Sequence, residues 1–315
     1  MIIGVDLGGT RIRAARLDDD LKLLERRETL TLSEQGPDAV IERICEQIQA
    51  VWPATGDVQG IGVSSPGPLE PATGVIVSAT NLPGWHNVPL GQRLEDRFGV
   101  PVYVGNDANV AALAEVARGA ARGCKHVIYV TLSTGLGGGI IVDGRLLLGR
   151  NGFAAEVGSM MVIEDGQATT WELVAGGPPI AQKARERLIE DETSIMREMV
   201  GGDLSKVDAK LVGQAAAQGD ALALEIVHRA GYIIGLGMTS LLHLFNPEIL
   251  VIGGGLSQMG DLLFEPMRAA IHENIIYEGY LTDLRIELAA LGEDVALIGG
   301  AALVRTQGGL VPLLE

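Results

Sequence analysis

Two segments of the chain share one pattern, an apolar strand followed by a glycine-rich turn and a second apolar strand. The first segment starts at Ile2 and passes through "DLGGT" at 6–10 into "RIRAARLD". The second starts at Val127 and passes through "STGLGGG" at 133–139 into "IIVDG". Apolar runs interrupted by glycine are typical of β-hairpins. Two such hairpins in one chain predict two related α/β halves.

The remaining elements fit an alternation of strands and helices. Pro37 opens a helical segment, with proline near its first position. The sequence predicts a strand at 58–65 that ends at "PGP" and a short helix near 89–98. The second half predicts helices near 178–190, 207–218 and 220–245, strands at "EILVI" and "LRIELAAL", and a final helix in "DVALIGGAALVRTQ".

Composition excludes several classes of partner. The 315 residues carry 24 Lys and Arg against 40 Asp and Glu, a net charge of −16, whereas nucleic-acid and anionic-membrane surfaces need clustered cations. A small anion bound by backbone amides stays compatible with this charge. We expect no signal peptide, no membrane span and a cytoplasmic location. Cys45 and Cys124 suggest a reducing compartment and inert thiols.

Asp107 stands where a predicted strand meets a predicted helix, in "PVYVGNDANVAAL" at 101–113. One interpretation is a helix N-cap, since an Asp oxygen accepts hydrogen bonds from unpaired backbone N–H groups at a helix start. The other is a catalytic base, because open α/β sheets bind ligands at the carboxyl ends of their strands. From this stretch alone the cap is the commoner structure, and both interpretations stay open.

Three glycine turns follow apolar strands directly: "DLGGT", "STGLGGG" and "GGGL" at 253–256. Backbone N–H groups in such turns form anion-binding sites. The chain has no G-x-x-x-x-G-K-[ST] motif, and "GLGGG" leads into a strand, which argues against a P-loop and against the usual dinucleotide fold.

Together these residues resemble the ROK family of sugar kinases, N-acetylmannosamine kinases and sugar-responsive repressors. "DLGGT", "STGLGGG" and "VIGGGLS" are similar to the phosphate and adenosine motifs of the wider hexokinase, Hsp70 and actin superfamily. "SSPGPLEPATG", "NLPGW", "GNDANVAALAE" and "AAEVGSM" resemble ROK sugar-site segments. The resemblance spans nearly the whole chain. It implies an α/β fold of two actin-like (ribonuclease H-like) domains with a cleft between them, the first 1–118 with the C-terminal helix 299–315 and the second 119–298.

The resemblance implies an ATP-dependent hexose kinase, with glucose as the first expected substrate and Asp107 as the general base. The matching sugar-binding residues are Gly67, Asn106, Asp107, Glu156 and Glu172. The matching phosphate-facing residues are Asp6, Gly8, Gly9, Thr10, Thr134 and Gly135, and those beside adenosine are Gly254 and Gly255. Asp6 is expected to hold Mg²⁺ through water, because Mg²⁺ keeps part of its hydration shell. A solvated or capping carboxylate is the alternative for Glu156.

The chain departs from the family in one segment. Many ROK kinases carry a His after E-x-G and then a Cys cluster that binds structural zinc. Here Ser159 stands at the position of that His, and "MMVIEDGQATTWE" contains neither Cys nor His. Because zinc needs thiolate or imidazole ligands in close array, we predict that no zinc is bound. The shorter Ser159 leaves the sugar preference near C1 and C2 open.

Several alternatives remain at this point. The substrate could be mannose, fructose or N-acetylmannosamine, or the chain could be a weakly active or non-catalytic sugar-binding protein. A sugar-sensing repressor would carry an N-terminal helix-turn-helix, whereas this chain starts on its first strand and is acidic. An actin-like filament or scaffold protein is disfavoured by "GNDAN" and "AEVG". The resemblance also implies a homodimer. Trp85 and Trp171 are interpreted as core residues.

Overall fold

The computed structural model describes residues 1–79, 81–164 and 166–313 as an α/β protein. The strands are β1 (Ile2–Leu7), β2 (Arg11–Leu17), β3 (Leu23–Leu30), β4 (Ile61–Ser65), β5 (Leu69–Glu70), β6 (Val75–Ser78), β7 (His86–Val88), β8 (Val102–Asn106), β9 (Val127–Leu132), β10 (Leu136–Val142), β11 (Arg145–Leu146), β12 (Met161–Glu164), β13 (Gln167–Thr170), β14 (Ile249–Gly253) and β15 (Arg285–Leu288). The helices are α1 (Gly36–Val51), α2 (Leu90–Phe98), α3 (Asp107–Arg118), α4 (Glu172–Ala175), α5 (Gly177–Leu188), α6 (Met196–Met199), α7 (Ala209–Ala217), α8 (Ala221–Phe245), α9 (Asp261–Asn274) and α10 (Val295–Arg305).

The first sheet has the strand order β3-β2-β1-β4-β8. Strands β1, β2 and β3 form an antiparallel meander. The first glycine turn predicts the hairpin of β1 and β2 within it. Strand β4 is parallel to β1, and β8 is parallel to β4. The carboxyl ends of β1, β4 and β8 therefore lie at one edge of this sheet, which is where open α/β sheets bind ligands.

The second five-stranded sheet has the order β11-β10-β9-β14-β15. In both sheets the first strand of the hairpin, β1 or β9, is followed outward by two strands that come much later in the chain. Strands β10 and β11 are antiparallel, and β14 and β15 are parallel. The repeated strand order agrees with the two related α/β halves that the repeated sequence pattern predicts.

Two smaller sheets were not predicted from the sequence. Strands β5, β6 and β7 form one of them, between the predicted strand at 58–65 and the predicted helix near 89–98. Strands β12 and β13 form a hairpin within "MMVIEDGQATTWE", with Met161 opposite Thr170. Strands of two to four residues are too short to show a hydrophobic period, which explains the omission.

Helix α10 packs directly on the backbone of the first sheet. A Cβ built on Gly62 of β4 would overlap the carbonyl group of Gly300, and one built on Gly4 of β1 would overlap that of Leu297. Gly299 is equally close to the Val110 carbonyl of α3. These glycines let the C-terminal helix approach the strands more closely than side chains would allow.

The chain divides into two compact units. Unit 1 contains residues 1–129, 139–155 and 289–315, and unit 2 contains residues 130–138 and 156–288. The first sheet, helices α1 to α3 and helix α10 lie in unit 1, and helices α4 to α9 lie in unit 2. The domain division expected from the family resemblance, with a boundary after residue 118, stays a prediction.

Within the described residues, helix α8 alone is long and apolar enough, by length and composition, to cross a bilayer. Its most apolar 18-residue window has a mean hydropathy of 1.3, and 56% of that window is buried inside the protein. Gly231 and Gly235 on this helix face the backbone of α9 so closely that a Cβ on either would overlap a carbonyl oxygen there. Such burial and packing are those of a core helix.

The contact between α10 and the first sheet yields a stability prediction. Replacing Gly62 with alanine forces the helix away from β4, and overpacking of this kind typically costs about 1–3 kcal/mol. We expect Gly62→Ala to lower the thermal unfolding temperature. Gly255→Ala is the control, because a Cβ there meets no atom within 4 Å. Equal unfolding temperatures for the two variants would contradict the packing described.

Candidate active site

Asp107 is the first residue of α3, directly after β8. The N-cap position belongs to Asn106, whose backbone is extended (φ −64°, ψ 144°) and whose Oδ1 accepts a hydrogen bond from the Ala108 N–H at 3.0 Å. The Oδ1 atom of Asp107 accepts from the same N–H at 2.8 Å. Asn106 therefore caps the helix, so the capping role that the sequence suggested for Asp107 belongs to its neighbour.

The protein environment makes the Asp107 carboxylate a stronger proton acceptor. Its side chain is open to solvent, yet the surrounding protein displaces much of the bulk water. This desolvation raises the pKa of the Asp107 carboxyl above its usual value. The hydrogen bond from Ala108 opposes the rise in pKa, and the negative charge of Asp6 adds to it.

Asp6 lies near the end of β1 and forms an ion pair with Arg13 of β2. Both side chains are mostly buried, and the two residues are direct cross-strand partners. Arg13 donates to Asp6 Oδ2 from Nε at 2.9 Å and from Nη2 at 2.6 Å, and from Nη1 to the carbonyl oxygen of Glu293 at 2.8 Å. Arg13 was not predicted as a site residue, because only the observed strand register places it opposite Asp6.

The residues around Asp6 are compatible with a magnesium ion. Arg13 occupies Oδ2, and Oδ1 accepts no hydrogen bond from the residues that the structure describes. Mg²⁺ typically binds through one or two carboxylates, several waters and substrate phosphates. Asp6 could therefore hold Mg²⁺ with its second oxygen, directly or through water.

The first glycine turn is held by its own backbone and by Thr31, which follows β3. Gly8 donates to the carbonyl oxygen of Arg11 at 3.0 Å, and its own carbonyl oxygen accepts from Thr31 Oγ1 at 2.6 Å. Gly9 lies against Asn81, where a Cβ would come within 3.1 Å. Thr10 is exposed. These contacts hold Gly8 and Gly9, while Thr10 faces solvent.

The structure brings Gly67 and Asn106 together in unit 1. Ser65 of β4 pairs with Asn106 of β8, and the loop after β4 carries Gly67 back over the end of β8. A Cβ on Gly67 would lie 3.1 Å from Asn106 Nδ2. Asp6, Gly67, Asn106 and Asp107 thus all stand at or just beyond the carboxyl ends of the parallel strands of the first sheet.

In unit 2, the glycine turn at 133–136 is fixed by the first residues of α4 and α5. Gly177 donates to the Ser133 carbonyl oxygen at 2.9 Å, and Ser133 donates to that of Gly135 at 2.9 Å. Glu172 Oε2 accepts from the Leu136 N–H at 2.8 Å. Glu172, expected as a sugar ligand, therefore also contacts the predicted phosphate turn, which the sequence did not indicate.

Glu156 precedes a short 3-10 helix at 157–159, and its side chain makes no capping hydrogen bond to that helix. The capping alternative for Glu156 is therefore not the arrangement found. Gly158 presses against the Leu136 carbonyl group, where a Cβ would overlap it. The segment that contains Glu156 and Ser159 accordingly lies beside the same glycine turn as Glu172.

Unit 2 contains a cavity of about 730 Å³ at this turn. Small-molecule sites have volumes of about 300–1,000 Å³. Its lining includes Thr134, Gly177, Arg185, Lys206, Lys210 and Gly255. The three cationic side chains outnumber the one acidic side chain in the lining, Asp208. This local excess of positive charge contrasts with the net charge of −16 and favours an anionic ligand.

Gly254 and Gly255 follow β14 and have different structural requirements. Gly254 has a φ of 87°, and a Cβ there would overlap the Leu132 carbonyl group. Gly255 has open space around its Cα and lines the cavity. The first glycine is therefore needed by the fold, whereas the second one is free to serve a ligand.

Two further expectations concern residues away from these turns. Trp85 and Trp171 are fully buried, as their interpretation as core residues predicts. Among residues 1–79, 81–164 and 166–313, no three His, Cys, Asp or Glu side chains are grouped so that they could hold a metal ion. The absence of bound zinc stays a prediction.

Comparisons with known proteins identify the chain's relatives. Residues 2–307 match the ROK family. A glucokinase of Thermotoga maritima is 36% identical, with 98% of each chain aligned. An N-acetylmannosamine kinase of Citrobacter koseri is 29% identical over 96% of this chain and 98% of its own. A putative xylose repressor of a Caldicellulosiruptor species is 31% identical over 96% of this chain and 78% of its own.

Solved structures confirm the predicted fold class of two actin-like α/β domains. A ROK glucokinase of Streptomyces griseus in complex with glucose and AMPPNP has a TM-score of 0.77 and 32% identity, with 97% of this chain and 99% of that chain covered. A ROK hexokinase of Thermus thermophilus has a TM-score of 0.80 and 31% identity, with 95% and 96% covered.

The raised pKa of Asp107 predicts a pH-dependent effect on stability. The folded chain holds this proton more tightly than the unfolded chain, so the contribution of Asp107 to the free energy of unfolding decreases as pH rises from the unfolded pKa to the folded pKa. We expect Asp107→Asn to unfold at a higher temperature than the native chain near neutral pH. The difference should vanish near the ordinary carboxyl pKa of about 3.9.

Thermal unfolding followed by circular dichroism across this pH range measures the effect, with the exposed loop variant Asp57→Asn as control. A lower unfolding temperature for Asp107→Asn near neutral pH would show that the carboxylate stabilises the fold instead.

Proposed function

Because the chain belongs to the ROK family, we propose that it is an ATP-dependent kinase that converts glucose to glucose 6-phosphate. The observation that carries this proposal is the Asp107 carboxylate. It stands beyond the carboxyl end of a central parallel strand, it is open to solvent, its pKa is raised, and the helix behind it is already capped by Asn106. We propose glucose as the substrate because relatives of this chain are ROK glucokinases.

In this proposal Asp107 is the general base. It takes the proton from the primary hydroxyl of the sugar while the hydroxyl oxygen forms a bond to the terminal phosphorus of ATP. The bond from that phosphorus to the bridging oxygen breaks, and ADP leaves. Phosphoryl transfer needs the protein mainly to position the groups and stabilise charge. A positioned base typically contributes about 10²–10⁴-fold to the rate.

The remaining site residues divide between the sugar, which accepts the phosphoryl group, and ATP, which donates it. We propose that Gly67, Asn106, Glu156 and Glu172 bind the sugar hydroxyls. The proposed donor residues are Gly8, Gly9, Thr10, Thr134 and Gly135 for the phosphates and Gly254 and Gly255 for adenosine. The contact between Gly67 and Asn106 supports the first set, and the cavity that Thr134 and Gly255 line supports the second. Mg²⁺ held by Asp6 would neutralise charge on the phosphates.

A kinase of another sugar is the second candidate. Ser159 replaces the family His near the anomeric end of the sugar, and one relative is named an N-acetylmannosamine kinase. Mannose and fructose stay in this class. A repressor role has relatives in its favour, but the charge of −16 opposes binding to DNA. We also propose a cytoplasmic homodimer, and light scattering tests the dimer by its mass.

The first functional prediction is turnover with Mg-ATP and glucose. ADP release should depend on the sugar, and Asp107→Asn should reduce kcat by about 10²–10⁴-fold. Asp57→Asn, an exposed carboxylate in a loop, serves as the control and should retain activity. Parallel assays with mannose, fructose and N-acetylmannosamine identify the substrate. Near-normal kcat in the Asp107→Asn variant would refute the base assignment, and no turnover with any sugar would favour a binding protein.

The cavity beside Gly255 predicts a donor-specific variant. Valine at this position fills cavity space without meeting protein atoms near the Cα. We expect Gly255→Val to raise the KM for ATP about tenfold, because a change of one small group in a binding pocket typically has an effect of this size. The KM for sugar should be unchanged. Gly254→Ala should instead lower the unfolding temperature, since its Cβ overlaps the Leu132 carbonyl group. An unchanged KM for ATP in Gly255→Val would place adenosine elsewhere.

The segment at 159–171 contains neither Cys nor His, which predicts a protein that does not need zinc. Elemental analysis of the purified protein should find no stoichiometric zinc, and a zinc chelator should leave the unfolding temperature unchanged. One zinc per chain, lost together with stability on chelation, would contradict this prediction.

A further inference from the structure

The glycine turn at 133–136 depends on a side chain from outside the turn. Its backbone makes one internal hydrogen bond, from Ser133 to the Gly135 carbonyl oxygen, and accepts one from Gly177. The Leu136 N–H is bound by the Glu172 carboxylate. A half-buried carboxylate therefore fixes the position at which the turn becomes strand β10.

The contact between Glu172 and the turn leaves no spare space. Glu172 Oε2 lies against the Cα of Gly135, so a Cβ there would overlap it. Its backbone carbonyl oxygen accepts from the Gly176 N–H at 2.9 Å, which fixes the start of the segment leading into α5. A Cβ added to Gly176 would in turn lie 2.9 Å from the Thr134 carbonyl oxygen. Glu172 is held on both its backbone and its side chain.

The two oxygens of Glu172 have different surroundings. Oε2 is bonded to Leu136, whereas Oε1 accepts no hydrogen bond from the residues that the structure describes. A carboxylate offers about four acceptor sites, so one oxygen can bind a ligand hydroxyl while the other keeps its backbone partner. Such a ligand would restrict the same side-chain torsions that place Oε2 on the turn.

We propose that Glu172 is a positioning residue that couples occupancy of the sugar site to the conformation of the phosphate turn. One oxygen orders the turn through Leu136, and a sugar hydroxyl on the other oxygen orders Glu172 itself. Sugar then tightens the binding of nucleotide, and by linkage nucleotide tightens the binding of sugar to the same degree. This inference rests on the proposed sugar kinase function.

Nucleotide binding without turnover tests the proposal. AMP-PNP with Mg²⁺ is titrated calorimetrically into the native protein, Glu172→Ala and Glu172→Gln, with and without saturating glucose. Glu172→Ala loses both contacts, whereas Glu172→Gln keeps an amide oxygen for Leu136 and loses the charge. Glu186→Ala, which removes an exposed carboxylate from α5, is the control. Unfolding temperatures verify that every variant is folded.

Without sugar, we expect Glu172→Ala to bind AMP-PNP about tenfold more weakly, while Glu172→Gln and Glu186→Ala bind it as the native protein does. With glucose, native affinity for AMP-PNP should rise by about fivefold or more, within the usual range of coupling, and Glu172→Ala should show no such rise. Native AMP-PNP affinity in Glu172→Ala without sugar would overturn the proposal, as would native coupling in that variant.

Failure of the proposed function has a different signature. If the native protein binds neither glucose nor another hexose, the substrate assignment is wrong, and the sugar-free comparison of Glu172→Ala with Glu172→Gln still decides whether Glu172 positions the turn. Loss of AMP-PNP binding in both variants would also overturn the positioning role, because Gln retains the acceptor that the role requires.

Discussion

Asp6 and Asp107 stand at the carboxyl edge of the first sheet, and among the described residues only Asp6 has a cationic partner. Arg13 binds Asp6 with two N–H groups on a single oxygen, whereas the described contacts of Asp107 consist of one backbone hydrogen bond. The sheet imposes this arrangement, because β1, β4 and β8 are parallel and end at the same edge. Desolvation by the surrounding protein raises the pKa of the Asp107 carboxyl, and the nearby negative charge of Asp6 adds to the rise.

The structure also depends on close backbone contacts that only glycine allows. Gly62 and Gly300 bring α10 onto the first sheet, Gly135 accommodates the Glu172 carboxylate, and Gly254 accommodates the Leu132 carbonyl group. In each case the glycine removes a Cβ that would collide with a neighbouring element. Rigid glycine turns keep backbone N–H groups in fixed positions, which phosphate binding requires. The abundance of glycine thus serves packing as well as ligand contact.

The sequence predicted those parts of the molecule that depend on local pattern. The two hairpins, the helix that begins at Asp107 and the final helix follow from apolar periodicity and from glycine or proline at element ends. The sequence analysis did not find the Arg13 partner of Asp6 or the contact between Glu172 and Leu136. The first needs the strand register, and the second joins residues 36 positions apart. The division of roles between Asn106 and Asp107 could not be predicted either, because both are good helix caps.

The proposed phosphoryl transfer depends most on the protonation state of the Asp107 carboxyl group. Its titration can be observed directly by carbon-13 NMR of carboxyl-labelled protein, with Asp107→Asn identifying the resonance. We expect a titration midpoint above the ordinary Asp value of about 3.9. We also expect that midpoint to shift to lower pH in Asp6→Asn, because the negative charge that helps to raise the pKa is removed. A midpoint at or below the ordinary value, unaffected by Asp6→Asn, would contradict the proposed role of Asp107.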